Sequence, residues 1–267
     1  RAAGIARRGE CGGEINKGVR HVKTDDMRLC EMGLLEGCLR MAEMLGGVSK
    51  SCREYSQVVV PGGFFYSRVY DFRPKRGLES IRALKEDIIS GKAPNNLLIF
   101  NSVLTPQLER NMLAEGFRIF AEQTGMVCEL NGNIEKPKAN IIEVEYSRIK
   151  EWARCVNTAI GKEDSAEIFE MMHRQNEAYF YGVEHNGEIV STLLLATFGG
   201  IACLHEGGTY TEYRGRGYIS DLIRRAMLAA REQGFTKIVL QASPMGRPVY
   251  EKLGFRAVGQ LKHWSLP

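Results

Sequence analysis

Apolar residues recur along this chain with two periods, the three-to-four spacing of an amphipathic helix and the alternation or short apolar run of a strand. Helical spacing predicts helices at Met27–Leu45, Leu78–Ser90, Pro106–Glu115, Ser147–Ile160, Glu163–Met172, Tyr218–Arg231 and Pro248–Leu253. Runs rich in β-branched and aromatic residues predict strands at Tyr55–Val60, Phe64–Tyr70, Asn96–Phe100, Phe117–Leu130, Ile141–Tyr146, Tyr179–Glu184, Glu188–Thr197, Ile201–Thr209, Phe235–Gln241 and Phe255–Trp264. Helices and strands intermixed in this way predict an α+β (mixed α/β) fold, in which helices flank a mixed sheet.

The clearest section is the run of three strands that ends at Thr209. Asn186-Gly187 and Gly199-Gly200 join these strands, and both dipeptides favour the primed turns of tight hairpins. The three strands are therefore predicted to form an antiparallel meander. The strand Phe235–Gln241 follows a helix, so we expect it to pair in parallel with the last meander strand through a right-handed crossover.

A polar segment, Asn131–Asn140, carries Gly and Pro and has no apolar period. It predicts a boundary between two domains. The expected organisation is a basic, flexible tail at residues 1–23, a first domain at residues 24–135 and a second domain at residues 136–267.

The two halves also share a short sequence repeat. Gly116-Phe117-Arg118 recurs 138 residues later as Gly254-Phe255-Arg256, in the same order of elements. The same offset aligns Arg76-Gly77 with Arg214-Gly215, Glu79 with Gly217, and Met112 with Tyr250. Two tandem, related domains are therefore predicted, of which the first has lost residues that the second retains.

Composition narrows the possible function classes. A chain of 267 residues with 44% hydrophobic and 25% charged residues can form one large or two ordinary domains. Its formal charge of +4 arises wholly in the first 23 residues, which hold six Lys or Arg and two Glu. We expect a mobile terminus rather than a nucleic-acid-binding arm, because so few charges bind phosphates weakly.

Membrane and secreted proteins are not expected either. Ser, Thr and Gly interrupt the longest apolar region, Ile189–Leu204, and the start of the sequence lacks a signal-peptide pattern. Seven cysteines, odd in number and without CxxC pairs, favour reduced thiols and argue against a zinc site. These features predict a soluble, cytoplasmic protein with no membrane partner.

Candidate chemistry is concentrated in Thr209–Ser220, which joins a strand to a helix. Arg214, Gly215, Arg216 and Gly217 lie directly before the helix. Glycines let the backbone approach an anion, and a helix N-terminus offers unpaired N–H groups and the positive end of its dipole. The stretch is either a phosphate-binding cradle or a simple turn.

Together with Pro248–Phe255, this turn resembles the GNAT superfamily of acyl-CoA-dependent N-acyltransferases. The resemblance covers about residues 140–267, and Leu97–Leu130 more loosely resembles the degenerate GNAT-like first domain of two-domain members. It implies that acetyl-CoA is the acyl donor, with its pyrophosphate on the turn and its pantetheine arm in a splayed gap between two strands. The implied coenzyme-binding residues are Thr209, Tyr210, Thr211, Arg214, Gly215, Arg216, Gly217, Tyr218, Ile219 and Ser243. Ile219 and Ser243 depart from the family pattern, which usually has Gly or Ala and often Asn there.

The same resemblance suggests the catalytic groups. Tyr250 matches the tyrosine that protonates the departing thiolate, which a phenol near the sulfur can do. A base must also take a proton from the substrate ammonium, and the candidates are Glu206 and His205. Strand alternation is expected to place one of these two on each face of the sheet. Each of the three also has a purely structural alternative, in packing or on the sheet surface.

The predicted function is transfer of an acetyl group from acetyl-CoA to a primary amine by direct attack in a ternary complex, without a metal. The acceptor is a small molecule or a peptide, nucleic acid is not an expected partner, and a homodimer is compatible with the sequence. The alternative is a catalytically silent acyl-CoA-binding module, which the departures at Ile219 and Ser243 leave open.

Overall fold

The computed structural model describes residues 26–63, 66–100 and 103–267, so the basic tail at 1–23 and residues 64–65 of one predicted strand lie outside it. Seven α-helices are α1 (Asp26–Met44), α2 (Leu78–Ile89), α3 (Pro106–Ala114), α4 (Ile149–Ile160), α5 (Ala166–His173), α6 (Tyr218–Glu232) and α7 (Arg247–Lys252), counted over these residues. The strands there are β1 (Val48–Ser51), β2 (Ser56–Val59), β3 (Arg68–Tyr70), β4 (Leu97–Phe100), β5 (Arg118–Glu129), β6 (Ile141–Glu143), β7 (Ala178–His185), β8 (Glu188–Ala196), β9 (Cys203–Thr209), β10 (Lys237–Ala242) and β11 (Arg256–Ser265). The predicted mixed fold with helices flanking a sheet is confirmed.

All of these strands belong to one sheet, in the order β1-β2-β3-β4-β11-β5-β10-β9-β8-β7-β6. As predicted, β7, β8 and β9 form an antiparallel meander, and β10 pairs with β9 in parallel. The predicted hairpin of β2 and β3 is also present. Asn186 and Gly187 both have positive φ, as the primed turn between β7 and β8 requires.

The two halves of the chain exchange strands at the centre of the sheet. β5, from the first half, lies between β10 and β11 of the second half, and β11 lies between β4 and β5 of the first. Six residue pairs join β5 to β10, from Glu129↔Lys237 to Thr124↔Ala242. Four pairs join β11 to β4, from Leu97↔Trp264 to Phe100↔Leu261. The halves therefore share one continuous backbone ladder.

Helices cover both faces of the sheet. On one face, α1 crosses the junction of the halves, where Cys30 packs against Val127, Cys203 and Val239. α4 and α5 extend this layer around Trp152, whose indole N–H donates to the Tyr181 carbonyl at 2.9 Å. The opposite face packs against α6 in the second half and against α2 and α3 in the first.

The repeat seen in the sequence is reproduced in the backbone, with one correction to its register. Gly116 and Gly254, with φ of 94° and 90°, precede β5 and β11 in the same left-handed conformation. At the start of α2, however, Gly77 is the N-cap residue, and its counterpart at α6 is Gly217. The alignment of Gly77 with Gly215, and of Glu79 with Gly217, is therefore wrong by two residues at this turn.

The first-half turn is occupied by its own carboxylates. The Arg76 guanidinium pairs with Glu54 at 3.2 Å and also with Glu79 in the first turn of α2. Two carboxylates at this helix start would repel a phosphate. The expectation that the first half lost its anion site agrees with this geometry.

Two local differences from the predicted elements have physical causes. β1 was not predicted, because it is an edge strand whose residues are all exposed, so it carries no apolar alternation. β6 ends at Glu143 rather than at Tyr146, since Tyr146–Arg148 form a 3₁₀ turn that leads into α4. Among the helices that the structure describes, none has the length and apolar character needed to cross a membrane.

Candidate functional site

A cleft opens where β9 and β10 separate. The two strands pair only at Cys203↔Val239 and Leu204↔Leu240, after which β9 runs on to Thr209 and β10 to Ala242 without further pairing. The cleft has a volume of about 830 Å³. A gap of this kind exposes the backbone N–H and C=O groups of β9, which can bind an extended ligand as a further strand would.

Both halves of the chain line this cleft. The second half contributes the end of β9, the turn before α6, and α7. From the first half come Gly37 and Cys38 on α1, Tyr66 and Arg68 near β3, and Phe120 on β5. The sequence left open whether the first half of the chain takes part in the site. The structure shows that residues of the first half form part of the cleft wall.

At one end of the cleft, the turn before α6 has the geometry of an anion cradle. Gly215 and Gly217 have φ of 77° and 79°, and Gly217 is the N-cap residue of the 15-residue helix α6. The first three N–H groups of such a helix have no partner within it, and they lie at the positive end of its dipole. A side chain at either glycine would be strained by the left-handed backbone.

The two arginines of this turn brace it against neighbouring elements. Arg214 donates to the Thr209 carbonyl at 3.2 Å and to the Ala159 carbonyl of α4 at 3.1 Å. Arg216 donates to the Glu212 carbonyl at 3.3 Å and lies 5.1 Å from the centre of the Tyr213 ring. Both guanidinium groups thus help to hold the turn in place, and the main-chain N–H groups at the start of α6 are further donors that an anion could use.

The departures at Ile219 and Ser243 are compatible with this site. Ile219 packs its side chain against the core beneath α6 and also lines the cleft near Gly207. The Ser243 hydroxyl lies at the mouth of the cleft and accepts a hydrogen bond from the Gly246 N–H at 3.1 Å. Thr209, Tyr210 and Thr211 lie together where β9 ends; of the three, Thr209 lines the cleft.

Tyr250 lies on the α6 side of the sheet, beside the divergence of the two strands. Its ring packs against Phe255 at 5.7 Å, and its hydroxyl points to Gly207 of β9. A methyl group added at Gly207 would lie 3.4 Å from this oxygen. Burial, with a smaller contribution from Cys203, raises the pKa of Tyr250 to about 12.

His205 and Glu206 do not lie on opposite faces, so the prediction from alternation is wrong. Glu206 has a φ of 53°, and the register of β8 against β9 shifts between Thr192 and Leu194. This bulge places an extra residue on β9 and turns both side chains to the α1 and α4 face. His205 lies against Gly37 of α1, and Glu206 contacts Lys162 just after α4.

Glu206 is the centre of a buried ion-pair network. Lys162 Nζ lies 3.0 and 3.1 Å from its two carboxylate oxygens, and the Tyr66 hydroxyl donates to it at 3.0 Å. Burial acts to raise the pKa of Glu206, but Lys162 outweighs this effect and the pKa lies below its usual value. Asp164, 3.6 Å from Lys162, has a raised pKa, chiefly because of its burial.

His205 is a neutral imidazole at neutral pH. Burial lowers its pKa to about 4, with the Lys162 and Arg68 charges adding to the effect and Glu206 opposing it. Among the residues that the structure describes, its Nε2 atom has no hydrogen-bond partner, and the residue lines the cleft. This buried nitrogen therefore has unused capacity to accept a proton or a hydrogen bond.

Sequence reasoning missed Tyr66, Arg68, Lys162 and Asp164. Tyr66 is 140 residues from Glu206 along the chain, so no local pattern connects them. Lys162 and Asp164 follow the glycine that ends α4 and look like ordinary loop residues in the sequence. Over the described ranges, no group of three or more His, Cys, Asp or Glu side chains converges as metal ligands would.

Comparisons with known proteins agree with this geometry. Residues 146–255 match the model of the Acetyltransferase (GNAT) family. A GCN5-related N-acetyltransferase from Kribbella flavida is similar over 91% of this chain and 96% of its own, with a TM-score of 0.69 and 15% identity. One from Sphaerobacter thermophilus is similar over 80% of each chain, with a TM-score of 0.62 and 18% identity.

A functionally unknown conserved protein from Staphylococcus epidermidis is also similar, over 83% of this chain and 94% of its own, with a TM-score of 0.61 and 14% identity. No curated protein matches the sequence significantly. At these identities the solved structures establish the fold, and they extend over both halves of the chain. The resemblance recognised in the sequence is confirmed: residues 146–255 match the GNAT acetyltransferase family model, and the first half shares the fold of these solved structures.

Proposed function

We propose that the protein is an N-acetyltransferase that moves an acetyl group from acetyl-CoA to a primary amine by direct attack in a ternary complex. One observation carries the proposal. The cleft passes through the sheet where β9 and β10 diverge, with the glycine cradle and Tyr250 on one side and His205 and Glu206 on the other. Donor and acceptor can thus approach the same strand from opposite faces.

The coenzyme would lie along the α6 side. N–H groups at the start of α6, with those of the Gly215–Gly217 turn, suit its pyrophosphate, and the unpaired edge of β9 suits its pantetheine arm. The bulge leaves the N–H groups of Glu206 and Gly207 outside the paired register of β8 and β9, which resumes at Gly208. Such groups can donate to the thioester carbonyl and stabilise the negative charge that forms there.

Tyr250 would protonate the leaving thiolate. Its raised pKa, about 12, keeps the phenol protonated at neutral pH, so it can donate as charge develops on sulfur. Its hydroxyl lies beside Gly207, next to the point where the strands separate. The absence of a side chain at Gly207 leaves room for the thioester in front of that hydroxyl.

His205 is better suited than Glu206 to take the proton of the amine. Both Glu206 oxygens already accept hydrogen bonds from Lys162 or Tyr66, so protonation of this carboxylate would disturb that network. His205 lines the cleft, its buried Nε2 atom has no hydrogen-bond partner among the described residues, and the nearby Glu206 charge stabilises a positive imidazole. Glu206 would then act on His205 as a fixed counter-charge.

The reaction would take place in a reducing, cytoplasmic compartment. Six cysteines among the described residues are free thiols, and five of these are buried. Burial raises the pKa of Cys30 to about 12 and also raises that of Cys203, so neither competes with the amine as a nucleophile.

The test is release of free CoA from acetyl-CoA over a panel of amines, with coenzyme binding measured by calorimetry on the same preparation. We expect binding, and turnover with at least one primary amine. Binding without turnover on any amine would instead support the silent acyl-CoA-binding module. Loss of binding in a Gly217→Val variant would assign the coenzyme to the α6 cradle.

A further inference from the structure

Two cationic side chains lie on the α1 and α4 side of the cleft, opposite the coenzyme cradle. Arg68, on β3, is only 5% exposed and lines the cleft wall. Lys162 also lines it, at the end of α4. Both charges act on His205, since each lowers the pKa of that imidazole after the larger effect of burial. The two cations and the imidazole thus line one cleft, within electrostatic reach of one another.

The same wall offers little negative charge to a cationic substrate. Two carboxylates line the cleft among the described residues, and both are paired: the oxygens of Glu206 are bonded to Lys162 or Tyr66, and Glu122 lies 3.7 Å from Lys262. His263 also lines the wall, and burial lowers its pKa to about 3, so it carries no charge at neutral pH. A polyamine would place further positive charges beside Arg68 and Lys162, which is unfavourable in a poorly solvated cleft.

An acceptor that carries a carboxylate would instead be attracted by the positive charges of Arg68 and Lys162. The planar guanidinium of arginine binds a carboxylate through two parallel hydrogen bonds, and burial strengthens such a pair. His205 directly follows Leu204, the last residue of β9 that pairs with β10, and it lines the same cleft as Arg68. The amine of a short substrate beside His205 can therefore meet the thioester while its acid group remains near Arg68.

We propose that the amine acceptor is an amino acid or a similar amine that bears a carboxylate, and that Arg68 binds this carboxylate. The inference rests on the proposed acetyl transfer and specifies its acceptor. A carboxylate could also arrive on the acyl chain of a dicarboxylic acyl-CoA. The acyl group, however, would lie beside Tyr250 and Gly207 on the α6 side, whereas the charge of Arg68 acts on Cys38 of α1 and on His205.

The experiment compares kcat/KM for matched acceptors that differ only in the acid group, namely amino acids, their amides and the corresponding amines without a carboxyl group. The value of kcat/KM is measured for each acceptor over a range of pH, so that acceptors are compared at the same fraction of unprotonated amine. We expect the amino acids to be preferred, and Arg68→Gln to reduce that preference about tenfold to a hundredfold, the effect of losing a charged hydrogen bond. Because Arg68 also acts on the pKa of His205, rates with the amides can change too, and the readout is the ratio of kcat/KM between amino acids and amides.

Arg73→Gln is the matched control, because Arg73 is exposed in the same half, bonds to Asp71 and is absent from the cleft wall. Should Arg68→Gln fail to fold, as judged by thermal unfolding and coenzyme affinity, Arg68→Lys keeps the charge and loses the planar fork. It should then raise KM for amino acids more than for amides.

Three outcomes separate the possibilities. Faster acetylation of polyamines or neutral amines, or an equal loss with both acceptor classes in Arg68→Gln, would overturn the proposal while leaving acetyl transfer intact. An Arg68-dependent gain with succinyl-CoA, without a preference among acceptors, would assign the cation to the acyl chain and also overturn it. No turnover with any acceptor would instead count against the proposed function.

Discussion

Tyr250 is the residue whose removal most directly tests the chemistry of the leaving group. Tyr250→Phe deletes one oxygen atom and keeps the ring contact with Phe255. We expect turnover to fall about a hundredfold, the lower range for loss of a general acid, while coenzyme affinity stays nearly unchanged. Steady-state kinetics and calorimetric binding of CoA check the two parts.

The matched control is Tyr179→Phe, because the Tyr179 hydroxyl donates to the Asn176 carbonyl on the surface and does not line the cleft. This variant should retain full turnover. If Tyr250→Phe also retained it, another group would have to protonate the thiolate.

Glu206 links the site to stability through pH. Its pKa lies below the usual 4.5, so its stabilisation is present above that value and is lost as the pH falls through the folded-state pKa. Lys162 lies 3.0 Å from Glu206, and its pKa is raised above the usual 10.5. The stabilisation that comes from the charge of Lys162 is therefore lost only in strong alkali. Breaking a buried pair by removing one charge costs about 3 to 5 kcal/mol.

Glu206→Gln should therefore lower the free energy of unfolding at pH 7 by about that amount. Its difference from the wild type should shrink below pH 4.5, where denaturant titrations can follow it. The exposed Glu212 on the following turn supplies the control, Glu212→Gln, which should show little difference at either pH. A difference that is constant from pH 7 to pH 3 would contradict the assigned charge of Glu206.

Site residues could be predicted from the sequence where they are contiguous. Arg214 to Gly217 are adjacent and precede a helix, and Tyr250 stands in a distinctive segment. Tyr66 and Arg68 come from the other half of the chain, and only the folded sheet brings them to the cleft. The faces of His205 and Glu206 could not be predicted, because one bulge reverses the alternation that the sequence suggests.

At the scale of elements, the end of α4 packs unusually close to β9. An added methyl group at Gly208 would lie 2.8 Å from the Ala159 Cβ and 3.1 Å from Ile160. Gly208→Ala must push α4 away, so we expect a loss of about 1 to 3 kcal/mol of stability, as for other overpacked sites. Because Arg214 bonds to the Ala159 carbonyl, coenzyme affinity should fall as well.

Gly132→Ala is the control for this change, since an added methyl group there meets no atom within 4 Å. Its thermal midpoint should equal that of the wild type, whereas the Gly208→Ala midpoint should fall. Equal midpoints for the two variants would show that the contact between α4 and β9 relaxes without cost. Helices such as α4 were predictable from their apolar spacing, but their distance from a strand depends on tertiary packing.

At the scale of the whole molecule, the exchange of β5 and β11 makes the two halves one folding unit. The sequence predicts the repeat and the boundary near residue 136, because both are local features. It does not predict strand partners, since an apolar run can pair with either half. Each half alone would leave a central strand edge open, with β10 or β4 lacking the neighbour that the other half supplies.

Residues 136–267 expressed alone should therefore be unfolded or aggregated, although they contain the whole matched family domain. A protease site inserted after Asn133, which is exposed, provides the control. After cleavage of the folded chain, the two pieces should stay associated through the shared ladder and should retain coenzyme binding.

Trp152 and Trp264 make the same prediction measurable in the intact chain. Trp152 is buried in the second half, and Trp264 of β11 is buried in the core formed by α2 and α3. Single-tryptophan variants, Trp152→Phe and Trp264→Phe, should unfold in denaturant with one coincident transition across fluorescence and circular dichroism. Two separate transitions, or a stable and active fragment 136–267, would mean that the halves fold independently despite the exchange.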